Sequence, residues 1–311
     1  STTQALVRVR AAALNHRDVY ITQGLYPAIT TPVVLGSDAV GEVVAVGDAA
    51  ANSAWLNERV IINPNNQWGD NPAAQSAFYH VLGMPTQGTL AEYICVNIDR
   101  LQRAPKHLSD EQAASLPLAG LTAYRALIGR AGLQRGERVL ISGIGGGVAL
   151  FALQFAVSAG AEVWVTSSSE EKIARAQALG AKGGANYRQA DWHKQLLQAA
   201  DGGFDVIIDS AGGSGFEKFI DIANPGGRIA FYGGTHGKFT VNPQKAFWKQ
   251  LSILGSTMGT DAEFEQMLHL VEQHHITPVV DTVFDFEQAA AAFERMRLGE
   301  QMGKIVVRVT N

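Results

Sequence analysis

Hydrophobic and polar positions alternate along the first strand-like stretch, QALVRVRAAA at 4–13, in the period of two expected of a half-buried β-strand. Short apolar runs follow at 33–46, broken by Gly36 and Gly41, at 59–62 and at 89–96, separated by a polar, irregular stretch at 63–87. Short glycine-punctuated strands of this kind predict a small barrel-like β unit. Ser109, Asp110 and Glu111 open a helical region that runs past Pro117 to residue 131. From there the pattern changes. Strands at 138–142, 162–166, 184–187, 204–210, 228–232 and 251–255 alternate with helices at 148–157, 170–179, 191–200, 216–222 and 243–250. That alternation predicts a parallel, doubly wound sheet with right-handed crossovers. A helix at 261–274 and a last strand at 304–309 complete the chain.

The sharpest local signal lies in ERVLISGIGGGVALFALQFAVSAG at 137–160, which reads as strand, tight turn and helix. Glycines at Gly143, Gly145, Gly146 and Gly147 permit a sharp turn and keep side chains away from the first helical amides. Free N–H groups at the positive end of a helix dipole favour a pyrophosphate. A strict G-x-G-x-x-G does not fit the register, whereas G-x-x-G-x-x-[GA] fits at Gly143, Gly146 and Ala149. With a second strand following in order, dinucleotide binding is expected here, through Gly143, Gly146, Gly147 and Val148.

Length and composition narrow the picture further. A chain of 311 residues with 46% hydrophobic content suits two globular domains. A net charge of −4 without basic runs argues against a nucleic-acid surface. One cysteine, Cys95, allows neither an internal disulfide nor a cysteine-rich zinc site, and fits a reducing compartment. No apolar run reaches bilayer length and STTQ at 1–4 does not read as a signal peptide, so no membrane partner and a cytoplasmic location are expected.

Ten ordered stretches, among them ALNHRDVYITQGLYP, VVLGSDAVGEVVAVG, LPLAGLTAYRAL, GERVLISGIGGGVA, FDVIIDSAGG, NPGGRIAFYGG and GKIVVRV, make the chain resemble the medium-chain dehydrogenase/reductase superfamily, and within it the zinc-free quinone oxidoreductase-like branch. The resemblance implies an α/β architecture: a six-stranded parallel Rossmann sheet at 119–260, and a GroES-like barrel-type substrate domain split between 1–118 and 261–311. Members usually carry a further N-terminal hairpin, so a trimmed or unusual terminus is expected. Where zinc-dependent relatives hold their catalytic metal with Cys, His and Cys, this sequence reads Asn15, Ser37 and Ala119, none of them a usual zinc ligand. No metal is therefore expected, either there or in the 63–87 lobe, which corresponds to the relatives' four-cysteine structural-zinc lobe.

Without a Lewis acid, reduction of a simple ketone or aldehyde leaves a localised alkoxide that is expensive to stabilise. A quinone or α,β-unsaturated carbonyl spreads the incoming charge, and ordinary hydrogen bonds suffice. By resemblance Asn15 and Tyr20 lie beside the acceptor as the catalytic pair, and Thr122, Ala211, Tyr232 and Gly233 position the nicotinamide. The strand at 162–166 runs into Ser167, Ser168 and Ser169 with Lys172 one turn on, where NAD-specific enzymes place an acid; hydroxyls and an ammonium favour NADP, with Tyr187 against the same phosphate. The chain is thus expected to be a zinc-independent NADPH-dependent reductase of quinones or enones and a homodimer through the strand at 251–255. The alternatives are a zinc-type alcohol dehydrogenase relative reducing aldehydes or ketones, and a nucleotide-binding protein without turnover.

Overall fold

A computed structural model describes residues 1–47 and 54–310. They form two compact units, Ser1–Leu121 with Met258–Asn311, and Thr122–Thr257. In the first unit the chain runs through β1 (Gln4–Ala13), α1 (His16–Thr22), β2 (Asp38–Val46), β3 (Arg59–Ile62), β4 (Asn65–Asn66), β5 (His80–Val81), β6 (Tyr93–Asn97), β7 (Leu101–Arg103) and α2 (Asp110–Ala114), and α3 (Pro117–Tyr124) carries it past Leu121 into the second. The second unit contributes β8 (Arg138–Ile141), α4 (Gly147–Ser158), β9 (Glu162–Ser167), α5 (Glu170–Ala178), β10 (Gly183–Asn186), α6 (Trp192–Ala199), β11 (Phe204–Asp209), α7 (Phe216–Ile222), β12 (Ala223–Phe231), α8 (Pro243–Trp248) and β13 (Ser252–Gly255). The chain then returns to the first unit as α9 (Asp261–Gln273), β14 (Val280–Asp285), α10 (Ala289–Leu298) and β15 (Lys304–Arg308).

Strand β1 is the hub of the first unit because it pairs antiparallel with β2, β6 and β15. Its period-two pattern places Ala5, Val7 and Val9 inward against Val43, Val60, Ile62, Ile94, Val96 and Leu101. Arg8 and Arg10 point the other way, to Glu42 at 3.1 and 2.6 Å. Neither β14 nor α10 has a counterpart in the sequence reading, although β14 pairs in parallel with β15 and Ala292 and Met296 of α10 are buried against Ile305 and Val307. The 33–46 stretch narrows to β2, which begins at Asp38 and runs through Gly41; a Cβ at Gly41 would lie 2.3 Å from the Arg8 carbonyl oxygen, so only glycine lets the two strands approach there.

The 63–87 lobe is ordered by polar side chains. Asn63 Nδ2 donates to Asp261 Oδ1 at 2.9 Å, and Arg100 clamps both oxygens of that carboxylate at 2.7 Å. Fully buried Asn65 donates to the Gly259 carbonyl and accepts from the Tyr79 hydroxyl at 2.7 Å, while Tyr79 meets Trp68 edge-on at 5.2 Å.

The second unit is a six-stranded parallel sheet ordered β10-β9-β8-β11-β12-β13. The first three strands run outward from β8 in one direction and the next three in the other, which is the Rossmann order with its switch between β8 and β11. Val139, Leu140 and Ile141 of β8 and Val206, Ile207 and Ile208 of β11 are wholly buried, as central strands covered on both faces must be. Strand β13 forms one edge of the sheet. Among the described residues no helix is long and apolar enough to cross a membrane.

Candidate active site

In the first unit three strands converge at the end of β1. Its ladder with β15 runs Ala11↔Arg308, Ala12↔Val307 and Ala13↔Val306, and Leu14 N still donates to Ile305 O at 2.9 Å. One residue further, Lys304 stands across from Asn15. On the other flank of β1, Ala13 is opposite Asp38. The Lys304 ammonium donates to Asn15 Oδ1 at 2.7 Å and to Asp38 Oδ2 at 2.9 Å, and Asn15 Nδ2 donates to the same Asp38 oxygen at 3.0 Å. Asp38 Oδ1 accepts from the Leu118 amide at 2.8 Å. Asp38 is fully buried and the Lys304 side chain is 4% exposed.

Asn15 ends its strand by opening α1, where its amide donates to Asp18 Oδ2 at 2.8 Å and its carbonyl accepts from the Asp18 amide at 2.9 Å. Asp18 is fully buried and its Oδ1 has no partner among the described residues; burial pushes its pKa up to about 6 against the pull of the Asn15 hydrogen bond and the Arg17 charge. The His16 imidazole pKa is lowered, first by desolvation and then by the Lys304 charge. One turn on, Tyr20 is half-buried, its ring 6.4 Å from that of His16, and burial raises its phenol pKa. Among the described residues its hydroxyl makes no hydrogen bond, and neither does the second hydrogen of Asn15 Nδ2.

The three positions expected to correspond to the zinc ligands of metal-bearing relatives, Asn15, Ser37 and Ala119, are committed otherwise or carry no donor. Asn15 is held by an ammonium and a carboxylate, and Ser37 Oγ lies 2.6 Å from Arg17 Nη1 and 2.8 Å from Leu82 O. Ala119 has no donor atom, and no group of three or more metal-ligating side chains occurs among the described residues. The donor set does not match zinc.

In the second unit the glycine turn has the form a pyrophosphate needs. Gly143 and Gly145 take φ of +64° and +136°, and Gly146 caps α4. A Cβ at Gly146 would meet nothing within 4 Å, so the space above the turn is open. The α4 amides that begin at Gly147 and Val148 lack intrahelical acceptors. The turn is braced from behind, since Ile144 N donates to Thr166 O at 2.8 Å and Ser167 Oγ to Ile144 O at 3.3 Å. Ser142 Oγ donates to Asp209 Oδ1 at 2.6 Å, and Asp209 Oδ2 takes the Gly212 amide at 2.8 Å, tying the ends of β8 and β11 together.

Neighbouring strand ends bring the residues expected near a 2′-phosphate into one corner. Asn186 pairs with Ser167, and Tyr187 N donates to Ser167 O at 3.0 Å. Ser167 is 3% exposed with its hydroxyl turned to the glycine turn, and Ser169 caps α5 by accepting from Lys172 N at 3.3 Å. Ser168 and Lys172 are half-buried and Tyr187 is exposed at this corner. Thr122 is buried in α3. The Ala211 carbonyl accepts from His236 N at 2.8 Å, burial raises the Tyr232 phenol pKa, and a Cβ at Gly233 would fall 2.2 Å from Ser210 O, so this turn demands glycine. Lys304 escapes the sequence reading. Its only signal is a lysine at the inner end of an apolar strand, GKIVVRV.

Comparison with known proteins bears on both units. Residues 1–106 match the alcohol dehydrogenase GroES-like domain and residues 147–273 the zinc-binding dehydrogenase family. The chain is 36% identical to a zinc-type alcohol dehydrogenase-like protein of Leptosphaeria maculans, over 98% of this chain and 90% of that one. It is 30% identical to the acryloyl-coenzyme A reductase of Metallosphaera sedula (98% and 92% covered) and 29% identical to the quinone oxidoreductase of Homo sapiens (98% and 88% covered). The crystal structure of an NAD-dependent alcohol dehydrogenase superposes with a TM-score of 0.91 at 35% identity, covering 100% of this chain and 93% of the other.

Proposed function

We propose, from the premise that the chain belongs to the medium-chain dehydrogenase/reductase superfamily, that it is a zinc-independent, NADPH-dependent oxidoreductase acting on quinones or α,β-unsaturated carbonyl compounds. The observation that carries this reading is the commitment of Asn15 to Asp38 and Lys304 at a position where zinc-bearing relatives need a thiolate. A bound reduced nicotinamide supplies the hydride. The protein's part is then to orient the acceptor and stabilise a dispersed negative charge by hydrogen bonds, and the free Asn15 N–H and the Tyr20 hydroxyl are the donors suited to it. The amides at Gly146, Gly147 and Val148 suit the pyrophosphate, with Gly143 forming the turn. Ser168, Lys172 and Tyr187 suit a 2′-phosphate, Ser167 braces their strand, and Thr122, Ala211, Tyr232 and Gly233 line the nicotinamide side. Strand β13, with one face of its ladder unpaired, is suited to pair with its twin in a homodimer.

The similarity to a zinc-type alcohol dehydrogenase-like protein and to an NAD-dependent alcohol dehydrogenase favours a second reading, reduction of simple aldehydes with zinc and NADH. Steady-state oxidation of NADPH and NADH against a panel of naphthoquinones, short enones and aldehydes, with and without a chelator, separates the two. The expected result is chelator-insensitive turnover of a quinone or enone with NADPH, reduced about tenfold or more by Asn15→Ala or Tyr20→Phe. Chelator-sensitive turnover confined to aldehydes overturns the proposal.

A further inference from the structure

A buried ion pair is weak evidence for stability, because the desolvation of two charges offsets most of their attraction. Lys304 and Asp38 therefore call for another explanation, and the atoms between them supply one. An ammonium only donates hydrogen bonds and a carboxylate only accepts them. The Asn15 atom 2.7 Å from Lys304 Nζ must accordingly be the amide oxygen, and the atom 3.0 Å from Asp38 Oδ2 the amide nitrogen. Two charges of opposite sign thus grip the two ends of one amide and forbid the half-turn that would exchange them. The grip is itself rigid, since Lys304 also bonds Asp38 at 2.9 Å and Asp38 is pinned by the Leu118 amide at 2.8 Å. The second Nδ2 hydrogen is the only polar group of the amide side that this arrangement leaves to donate.

We propose that Lys304 is a positioning residue which, with Asp38, locks Asn15 as a hydrogen-bond donor to the acceptor oxygen of the substrate. This rests on the reading that Asn15 meets the acceptor. The role is orientational, and Lys304 need not touch the substrate.

Replacing Lys304 alone leaves Asp38 buried and uncompensated, and such a variant is at risk of not folding. The informative variant removes both charges, Asp38→Asn with Lys304→Met, because an amide at 38 keeps its oxygen on the Leu118 N–H and turns its Nδ2, a donor, toward Asn15, so that the Asn15 nitrogen is no longer held as the donor. This double variant is expected to melt close to the parent, to keep the acceptor KM within about twofold, and to lose about tenfold or more in kcat for NADPH-dependent reduction of a 1,4-naphthoquinone. In an Asn15→Ala background the same pair of changes is expected to do nothing further. A purely structural ion pair predicts instead that a stable double variant turns over at the parent rate, or that its loss multiplies with that of Asn15→Ala; either result overturns the proposal. If Asn15→Ala itself turns over like the parent, the reading of Asn15 fails first and the positioning role falls with it, a pattern distinct from the other two. A measurement on the unmodified chain covers the case of a double variant that does not fold. The Asn15 Nδ2 proton that faces Asp38 should resonate downfield of the ordinary asparagine side-chain range and exchange slowly with solvent. Ordinary shifts for both protons, with exchange as fast as that of a solvent-exposed asparagine, would show an amide that is not held and would overturn the proposal as well.

Discussion

The glycine turn of the second unit and the Asn15 corner of the first are built in opposite ways. At residues 143–148 the groups that face a ligand are main-chain amides supplied by neighbours in sequence, and the side chains contribute chiefly by being absent. At the end of β1 the groups are side chains, and two that touch, Asn15 and Lys304, lie 289 positions apart. A backbone site tolerates most substitutions that add no volume. A side-chain site tolerates almost no single change, but it accepts compensated pairs.

Adding volume at the turn is expected to have the largest effect. Gly146 has φ −72° and ψ 149°, a conformation open to any residue, and its Cβ direction is empty. Gly146→Val should therefore fold with a melting temperature within a few degrees of the parent while its side chain occupies the space above the α4 amides. Loss of those contacts should weaken NADPH binding about a hundredfold, equivalent to about 3 kcal/mol, as titration calorimetry would measure. Retention of parent affinity would remove the turn from the cofactor site and leave the contrast between the two regions without its first member.

A smaller effect sharpens the same contrast at the one place where the second unit relies on side chains. Lys172→Ala should raise the KM for NADPH about tenfold and leave that for NADH unchanged, because only the former carries a 2′-phosphate for an ammonium to meet. Ser169→Ala should loosen the start of α5, where its hydroxyl accepts from Lys172 N, without altering the ratio of the two cofactors. An equal change in both Michaelis constants for Lys172→Ala would contradict the phosphate assignment.

The difference in construction also explains what could be read from the chain. Strand, glycine turn and helix at 138–158 are adjacent, and each residue's type reports its own backbone requirement, so the turn and the order of β8 to β13 were legible. Asn15 and Tyr20 were legible as candidates because they share one short motif. Lys304 was not, since nothing local distinguishes a lysine that caps a strand in solvent from one whose ammonium is buried between Asn15 and Asp38; only the β1–β15 register decides it. Asp38 was hidden in the same way, since its oxygens go to Lys304, Asn15 and Leu118, which are distant in sequence. Strand β14 went unassigned because it is half-exposed along most of its length, without the apolar–polar contrast that marks β1. The four alanines that open α10 carry helix propensity but little sidedness.

An effect on stability and not on turnover tests whether the Asn15 corner is strained as well as specific. Asp18 is fully buried, its Oδ1 is unpartnered among the described residues, and its pKa is raised from 3.8 to about 6. A raised folded-state value means that the native protein binds this proton more tightly than the unfolded chain does. The stabilisation from protonated Asp18 is therefore complete below about pH 4 and is lost as pH climbs through about 6. At pH 7 the buried carboxylate is a burden on the order of 2–3 kcal/mol, which a neutral side chain of the same shape avoids while still accepting from the Asn15 amide. Asp18→Asn should thus be more stable than the parent at pH 7 by up to that amount and equal to it near pH 4, as urea titrations at a series of pH values would reveal. Parallel pH profiles would mean that Asp18 ionises as easily in the fold as in the unfolded chain. A variant less stable at pH 7 than at pH 4, relative to the parent, would mean that the carboxylate's charge supports the Lys304–Asp38–Asn15 cluster rather than opposing its burial.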